Sequence, residues 1–207
     1  MNRKRSFYER FGGEFYENFW GSVWFPQKHK RLVAIINLNS SKINVLDIGC
    51  GTGRLLERLK RKFPLIKIHA IDISKAMVTV VKRKFKRVDA RVGSAEDLPW
   101  KKNNFDVITN SISFHHYKNP NKALSEAYRV LKPRGKFFLM DINPASKITR
   151  FLANFIAKYF IQDGHKSFYT KKEVYEFFQE EGFTNIKQVG AGFISRSVIT
   201  IGEKPKS

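Results

Sequence analysis

The densest chemistry in the sequence is a run of nine residues, Val45-Leu46-Asp47-Ile48-Gly49-Cys50-Gly51-Thr52-Gly53. Glycines at alternate positions after an apolar stretch let the backbone turn sharply and bring its N–H groups against a ligand. A dinucleotide loop would need its third glycine at position 54, where Arg54 stands, and no Gly-Lys-Ser/Thr follows for a nucleoside triphosphate. Asp47 puts a carboxylate just ahead of the glycines, which suits a ligand with an ammonium group or a positive sulfur better than a pyrophosphate. Asp72 ends the next apolar run, where a carboxylate can accept from both hydroxyls of a ribose; its alternative role is to cap the helix that Ser74 opens. A second cluster, Asn110, Ser111, His115, His116 and Tyr117, contains the tandem histidines of the chain. An imidazole poised near neutrality can take a proton from an acceptor. His116 is preferred to His115 for that task, with packing as the alternative for both, and His165 stands third. Cys50 is the single cysteine and reads as a small buried residue. Its solitude excludes a disulfide framework and a cysteine-rich metal site, and no metal is expected.

The elements that must position these residues follow from periodicity. Strands are expected over Lys42–Ile48, Leu65–Ile71, Arg87–Val92, Phe105–Asn110 and Lys136–Asp141, with helices near 53–63, 75–86 and 120–131 between them. Ser74 is the expected cap of the second of these helices, Pro120 opens the third, and Lys132–Gly135 is a turn. Two helices near 145–161 and 171–181 come next, the latter stopped at Gly182, and then two strands, Thr184–Val189 and Arg196–Ile201. Alternation of strand and helix predicts an α/β fold, a doubly wound seven-stranded sheet, mostly parallel with an antiparallel C-terminal hairpin. Ahead of it, Phe7, Phe11, Phe15 and Phe19 recur every four residues before a helix near 27–38. The chain is expected to form one domain over 1–207, with 1–38 a helical lid that could bring Tyr8 and Tyr16 over a ligand and 43–141 the binding core.

The glycine run resembles the first motif of the class I S-adenosylmethionine-dependent methyltransferases. The resemblance continues through Ala70-Ile71-Asp72-Ile73-Ser74, through Gly93-Ser94-Ala95-Glu96-Asp97-Leu98-Pro99-Trp100, and through Phe105-Asp106-Val107-Ile108 and Arg129-Val130-Leu131-Lys132-Pro133. It is strongest to enzymes acting on small metabolites, quinones and lipids. The resemblance implies a Rossmann-like fold, S-adenosylmethionine as cofactor, and a cofactor site made of Asp47, Gly49, Cys50, Gly51, Gly53, Asp72, Ile73, Ser94, Ala95, Glu96 and Asn110. Within it Asp72 would take the ribose, and Ile73 and Leu98 would flank the adenine. Two positions depart from the family pattern. Ser94 stands where an aspartate usually accepts the adenine amino hydrogen, leaving Glu96 or Asp97 as substitutes, and Arg134 replaces a glycine of the turn before the fifth strand.

Charge frames the partners. Lys and Arg number 39 against 18 Asp and Glu, a formal +21. Thirteen of the cations lie between Arg54 and Arg91, against three acids. A basic face can dock RNA or an anionic membrane, or simply be solvated. The expected function is methyl transfer to a small-molecule or lipid-like acceptor. An RNA methyltransferase docking through the basic face and a non-catalytic S-adenosylmethionine-binding module are the alternatives. The apolar run 151–161 is interrupted by Lys158 and is about half the length that spans a bilayer. Core or lid is its first reading and a membrane surface its second. Acids interrupt the basic N-terminus, so no secretory signal is expected, and the chain reads as cytoplasmic or peripheral at a membrane. Oligomeric state is left open.

Overall fold

The computed structural model describes residues 26–38, 43–156, 167–191 and 197–206. The expected lid over 1–25, with Tyr8 and Tyr16, and His165 fall outside the described residues. The elements are α1 (Pro26–Ile35), β1 (Asn44–Ile48), α2 (Arg54–Lys62), β2 (Lys67–Asp72), α3 (Lys75–Lys84), β3 (Val88–Val92), β4 (Phe105–Ser111), a 3-10 turn (Phe114–His116), α4 (Pro120–Val130), β5 (Leu131–Ile142), α5 (Lys147–Ile156), α6 (Lys171–Glu180), β6 (Thr184–Gly190) and β7 (Ser197–Glu203).

One sheet runs in the order β3-β2-β1-β4-β5-β7-β6. Strands β1 to β5 are parallel, and β7 is antiparallel to both β5 and β6. The strand order reverses between β1 and β4, so the crevice at their carboxyl ends is where such a sheet binds ligands. Successive strand residues point to opposite faces. Val45, Ile68 and Val107 pack with Leu32, Leu56 and Val78 of the first three helices. Leu46, Ile71 and Ile108 pack on the other face with Leu124 and Phe178 of α4 and α6.

Local signals in the chain explain the element ends. Ser74 caps α3 by accepting from Met77 N, Asn119 caps α4 ahead of Pro120, and Thr170 and Glu173 form a reciprocal capping box on α6. Helix α1 is finished from outside: Lys62 Nζ donates to Val33 O and Ile36 O at 2.8 Å and to Ala34 O at 3.3 Å.

Two expectations need correction. The Lys132–Gly135 turn is part of the sheet, because β5 begins at Leu131 and pairs with Phe105 before the register shifts and resumes at Lys136–Val107. Arg134 N and Gly135 O are bonded to Lys204 O and N, and Arg134 takes φ +62, a left-handed conformation a non-glycine residue rarely adopts. Nor does the apolar run from Phe151 enter the core over its described part, since no residue of α5 is buried.

Candidate active site

The glycine loop is lashed to the end of β2. Gly49 N and Cys50 N both donate to Ile71 O, at 2.8 and 3.1 Å, and Gly51 N donates to Asp72 Oδ2 at 2.8 Å. Asp72 Oδ1 accepts from Ser74 N at 2.9 Å, so this carboxylate fastens the loop and the start of α3 together. Burial pushes its carboxyl up, against the pull of these amides. Gly49 has φ +69, and a Cβ there would come within 2.2 Å of Ser113 Oγ, so the two loops can meet only over a glycine. At Gly51, φ is +51 and a Cβ would meet nothing within 4 Å. The chain leaves open space there, in front of its own backbone.

Asp47 is buried behind the loop and accepts from Thr109 Oγ1 at 2.7 Å. Burial raises its carboxyl to about 7, and the nearby charge of Asp72 adds to the rise. The Cys50 thiol is pushed well above its ordinary value by burial and by Asp72 and Asp47, which makes it a poor nucleophile.

These groups open onto a cleft of about 500 Å³, ample for a nucleoside-sized ligand. Of the sequence-predicted residues, Asp47, Gly49, Cys50, Gly51, Asp72, Ile73, Ser94, Ala95, Glu96 and His116 line it. Gly53, Asn110 and His115 do not. Gly53 is the left-handed hinge before α2, at φ +82. Asn110 is buried one layer behind, its Nδ2 near Ile48 O, Ser113 Oγ and Tyr117 OH at 3.0, 2.9 and 2.5 Å. Its Oδ1 is the buried side-chain polar atom without a partner among the described residues. Leu98 is core. Ile73 is 77% exposed although it borders the cleft, a bare apolar surface for a flat ligand to cover. Ser94 Oγ accepts from Glu96 N at 3.1 Å, and Glu96 Oε1 accepts from Lys118 N and Asn119 N, clamping the loop after β3 to the loop after β4.

The tandem histidines divide. His115 is buried, with Nδ1 2.8 Å from Asp141 Oδ1, while its N donates to Asp141 Oδ2 at 3.0 Å. Burial pushes Asp141 up, but the adjacent His115 and its hydrogen bonds hold the carboxyl below its ordinary value. The His116 ring lies 4.1 Å from the His115 ring, tilted at 47° to it, and borders the cleft.

Sequence reasoning missed His29, which α1 brings to the cleft wall with Nε2 2.9 Å from Ser111 Oγ. Burial, with Arg58, Arg54 and Lys28 around it, lowers its imidazole to about 4. No local signal marks this residue, since its partner lies 82 positions away. Ile112 at the same wall has φ +54, an outlier for a β-branched residue of the kind that gathers at functional sites.

A family model described as a methyltransferase domain matches residues 46–139, which supply the lining of this cleft other than His29. The demethylmenaquinone methyltransferase of Thermotoga maritima is 31% identical over 173 residues, which cover 74% of this chain and 75% of that protein. The chain belongs to the class I S-adenosylmethionine-dependent methyltransferases. The methyltransferase is also similar to the ubiquinone/menaquinone biosynthesis C-methyltransferase of Rickettsia bellii, 37% identical over 119 residues. That match covers 53% of this chain and about half of the Rickettsia protein, 47%. Among solved structures it resembles a phosphoethanolamine N-methyltransferase of Haemonchus contortus in complex with S-adenosylhomocysteine. There the TM-score is 0.73 at 18% identity, covering 86% of this chain and 52% of that one, a likeness of fold. The enzyme uses S-adenosylmethionine.

Proposed function

We propose that this methyltransferase acts on a small, lipid-like acceptor with a quinone-type ring. The observation that carries the reading is the identity, over three quarters of each chain, with a demethylmenaquinone methyltransferase. The cleft supports it: its far wall offers Ser111, Ile112 and His116, and His29 held neutral by burial, a lining suited to an uncharged ring. Among the described residues, the basic face gives RNA less than its sequence promises. Lys60 is spent on Ile66 O, Lys62 on α1, and Lys84 on Glu57.

The residues present fit the cofactor. The open space before Gly51, the bare side chain of Ile73 and the carboxylate of Asp72 lie along one wall, and Asp47 stands ready to ionise opposite a cation. Asp72 would accept from the ribose hydroxyls with the lone pairs its two amides leave, and Ile73, Ser94, Ala95 and Glu96 would border the base. When bound, S-adenosylmethionine supplies a methyl carbon made electrophilic by a positive sulfur. The work of the chain is then to hold the acceptor in line, exclude water and accept the proton the acceptor loses. His116, which lines the cleft, would accept it. His115, fixed by Asp141, acts as a positioning residue beneath it.

The test uses S-adenosylmethionine labelled in its methyl group, the whole protein and host extract divided into organic-soluble, small polar, protein and RNA fractions. Label is expected in the organic-soluble or small polar fraction; label in RNA refutes the acceptor reading. Asp72→Ala should weaken cofactor binding at least about tenfold by calorimetry, and unchanged affinity removes Asp72 from the site. His116→Ala should lower turnover with cofactor affinity kept; unchanged turnover removes the base.

A further inference from the structure

Helix α5 sits on the fold with its polarity reversed. Two of its polar side chains, Arg150 and Asn154, face the protein. Arg150 is paired with Glu173 of α6, Asn154 Oδ1 accepts from Phe168 N at 2.7 Å, and Asn154 Nδ2 donates to Ser167 Oγ at 3.3 Å. Its apolar stripe faces out: Ile148, Phe151, Leu152 and Ile156 are 74%, 69%, 53% and 50% exposed. A helix on a globular domain normally turns such a stripe inward, and a contiguous exposed one marks a surface of contact.

The surroundings of the stripe narrow what covers it. Exposed Lys147 opens the helix, and exposed Lys171 opens α6 beside the Arg150–Glu173 pair, while Lys172 next to it is paired with Glu176 at 3.5 Å. Apolar side chains framed by cations complement an anionic lipid surface, which offers hydrocarbon beneath negative headgroups. RNA would use the cations and could stack a base on Phe151, but it has no use for the aliphatic Ile148, Leu152 and Ile156 that make up the rest of the stripe. A second copy of a chain with net charge +21 would meet its own repulsion. The stripe is also joined to the acceptor end of the cleft. The segment that Asn154 holds donates from Ser167 N to His115 O at 3.1 Å and sets the Phe168 ring 5.0 Å from the His115 ring, next to His116.

We propose that α5 is an interfacial helix that lays Ile148, Phe151, Leu152 and Ile156 into an anionic membrane surface, with Lys147 and Lys171 at the headgroups. This deepens the lipid-like acceptor reading, on which it rests for its purpose, by putting the methyl-transfer cleft at the surface where such an acceptor resides. Vesicle binding needs no turnover, so the two readings fail separately.

The experiment is co-sedimentation of the full chain with vesicles of phosphatidylcholine alone and of phosphatidylcholine mixed with phosphatidylglycerol. Binding is expected to the mixed vesicles and to be weak to the neutral ones. Phe151→Ser with Leu152→Ser should cut binding to the mixed vesicles at least about tenfold while the melting temperature stays. Lys82→Ser with Lys86→Ser, on exposed positions of α3 and after it, removes charge from another face and should change binding less than about threefold. The proposal is overturned if the wild type binds neither vesicle, if the α5 variant binds like the wild type, or if the α3 variant loses as much as the α5 variant. It is overturned too if the wild type is a dimer that the α5 variant renders monomeric. Vesicle binding as expected, with label in RNA and none in the organic-soluble or small polar fraction, leaves the docking helix standing and refutes the acceptor reading alone.

Discussion

Replacing Asp47 by asparagine should make the cofactor-free fold more stable and its cofactor binding weaker. In the fold the Asp47 carboxyl titrates at about 7, against an ordinary 3.8, because it is buried near Asp72. The native state therefore holds a proton that the unfolded chain releases, and stability falls as pH rises from about 4 to about 7. A difference of about three pKa units at roughly 1.4 kcal/mol each puts the full cost near 4 kcal/mol, reached above pH 7. An asparagine side chain at this position would keep the bond from Thr109 Oγ1 and never ionise. Urea unfolding of both proteins at pH 4 and pH 8 measures the difference. Asp47→Asn should match the wild type within about 1 kcal/mol at pH 4 and exceed it by at least about 2 kcal/mol at pH 8. Calorimetry at pH 8 should show weaker S-adenosylmethionine binding, since the carboxylate proposed to answer the cofactor's positive charge is gone. An Asp47→Asn protein no more stable than wild type at pH 8 would refute the reasoning, because it would mean that burying this charge costs nothing.

Three other outcomes are expected. His29, lowered from 6.5 to about 4, binds its proton in the unfolded chain first, so it withdraws stability as pH falls through that window; His29→Gln should recover up to about 3 kcal/mol of the loss at pH 4 in urea titrations. Arg134→Gly should stabilise the fold by about 0.5–1 kcal/mol, because relief of a left-handed non-glycine residue, about 1–2 kcal/mol, outweighs the added freedom of an unfolded glycine, and a lower melting temperature would contradict the strain. Lys62→Met should cost about 1–2 kcal/mol by leaving the carbonyls at the end of α1 without their donor, with amide exchange rising first in α1.

The sequence made legible whatever is local. The glycine loop, the carboxylate of Asp72, the cap at Ser74, the helix opening at Pro120 and the strand–helix alternation are each written within a few residues, and the sheet follows from them by handedness. What it hid is what the fold brings together from afar. Thr109 over Asp47, Asp141 under His115 and His29 beside Ser111 join positions 26 to 82 residues apart. The split of the tandem histidines is of this kind, for their order in the chain does not say which one Asp141 will reach. The orientation of α5 is another case. Periodicity shows that a helix has an apolar stripe; which way the stripe turns depends on Glu173 and Phe168, which hold the opposite side.

Lys62 and Lys204 are alike in what surrounds them. Each ammonium donates to three oxygens, Lys204 to Asn103 Oδ1, Tyr128 O and Leu131 O, and each lies over an aromatic ring, Phe63 in one case and Tyr128 in the other. Three hydrogens spread around one nitrogen match such a cage, and a flat guanidinium does not. Arginine would keep the charge at these two positions and lose the cage, so lysine is required there by shape rather than by charge.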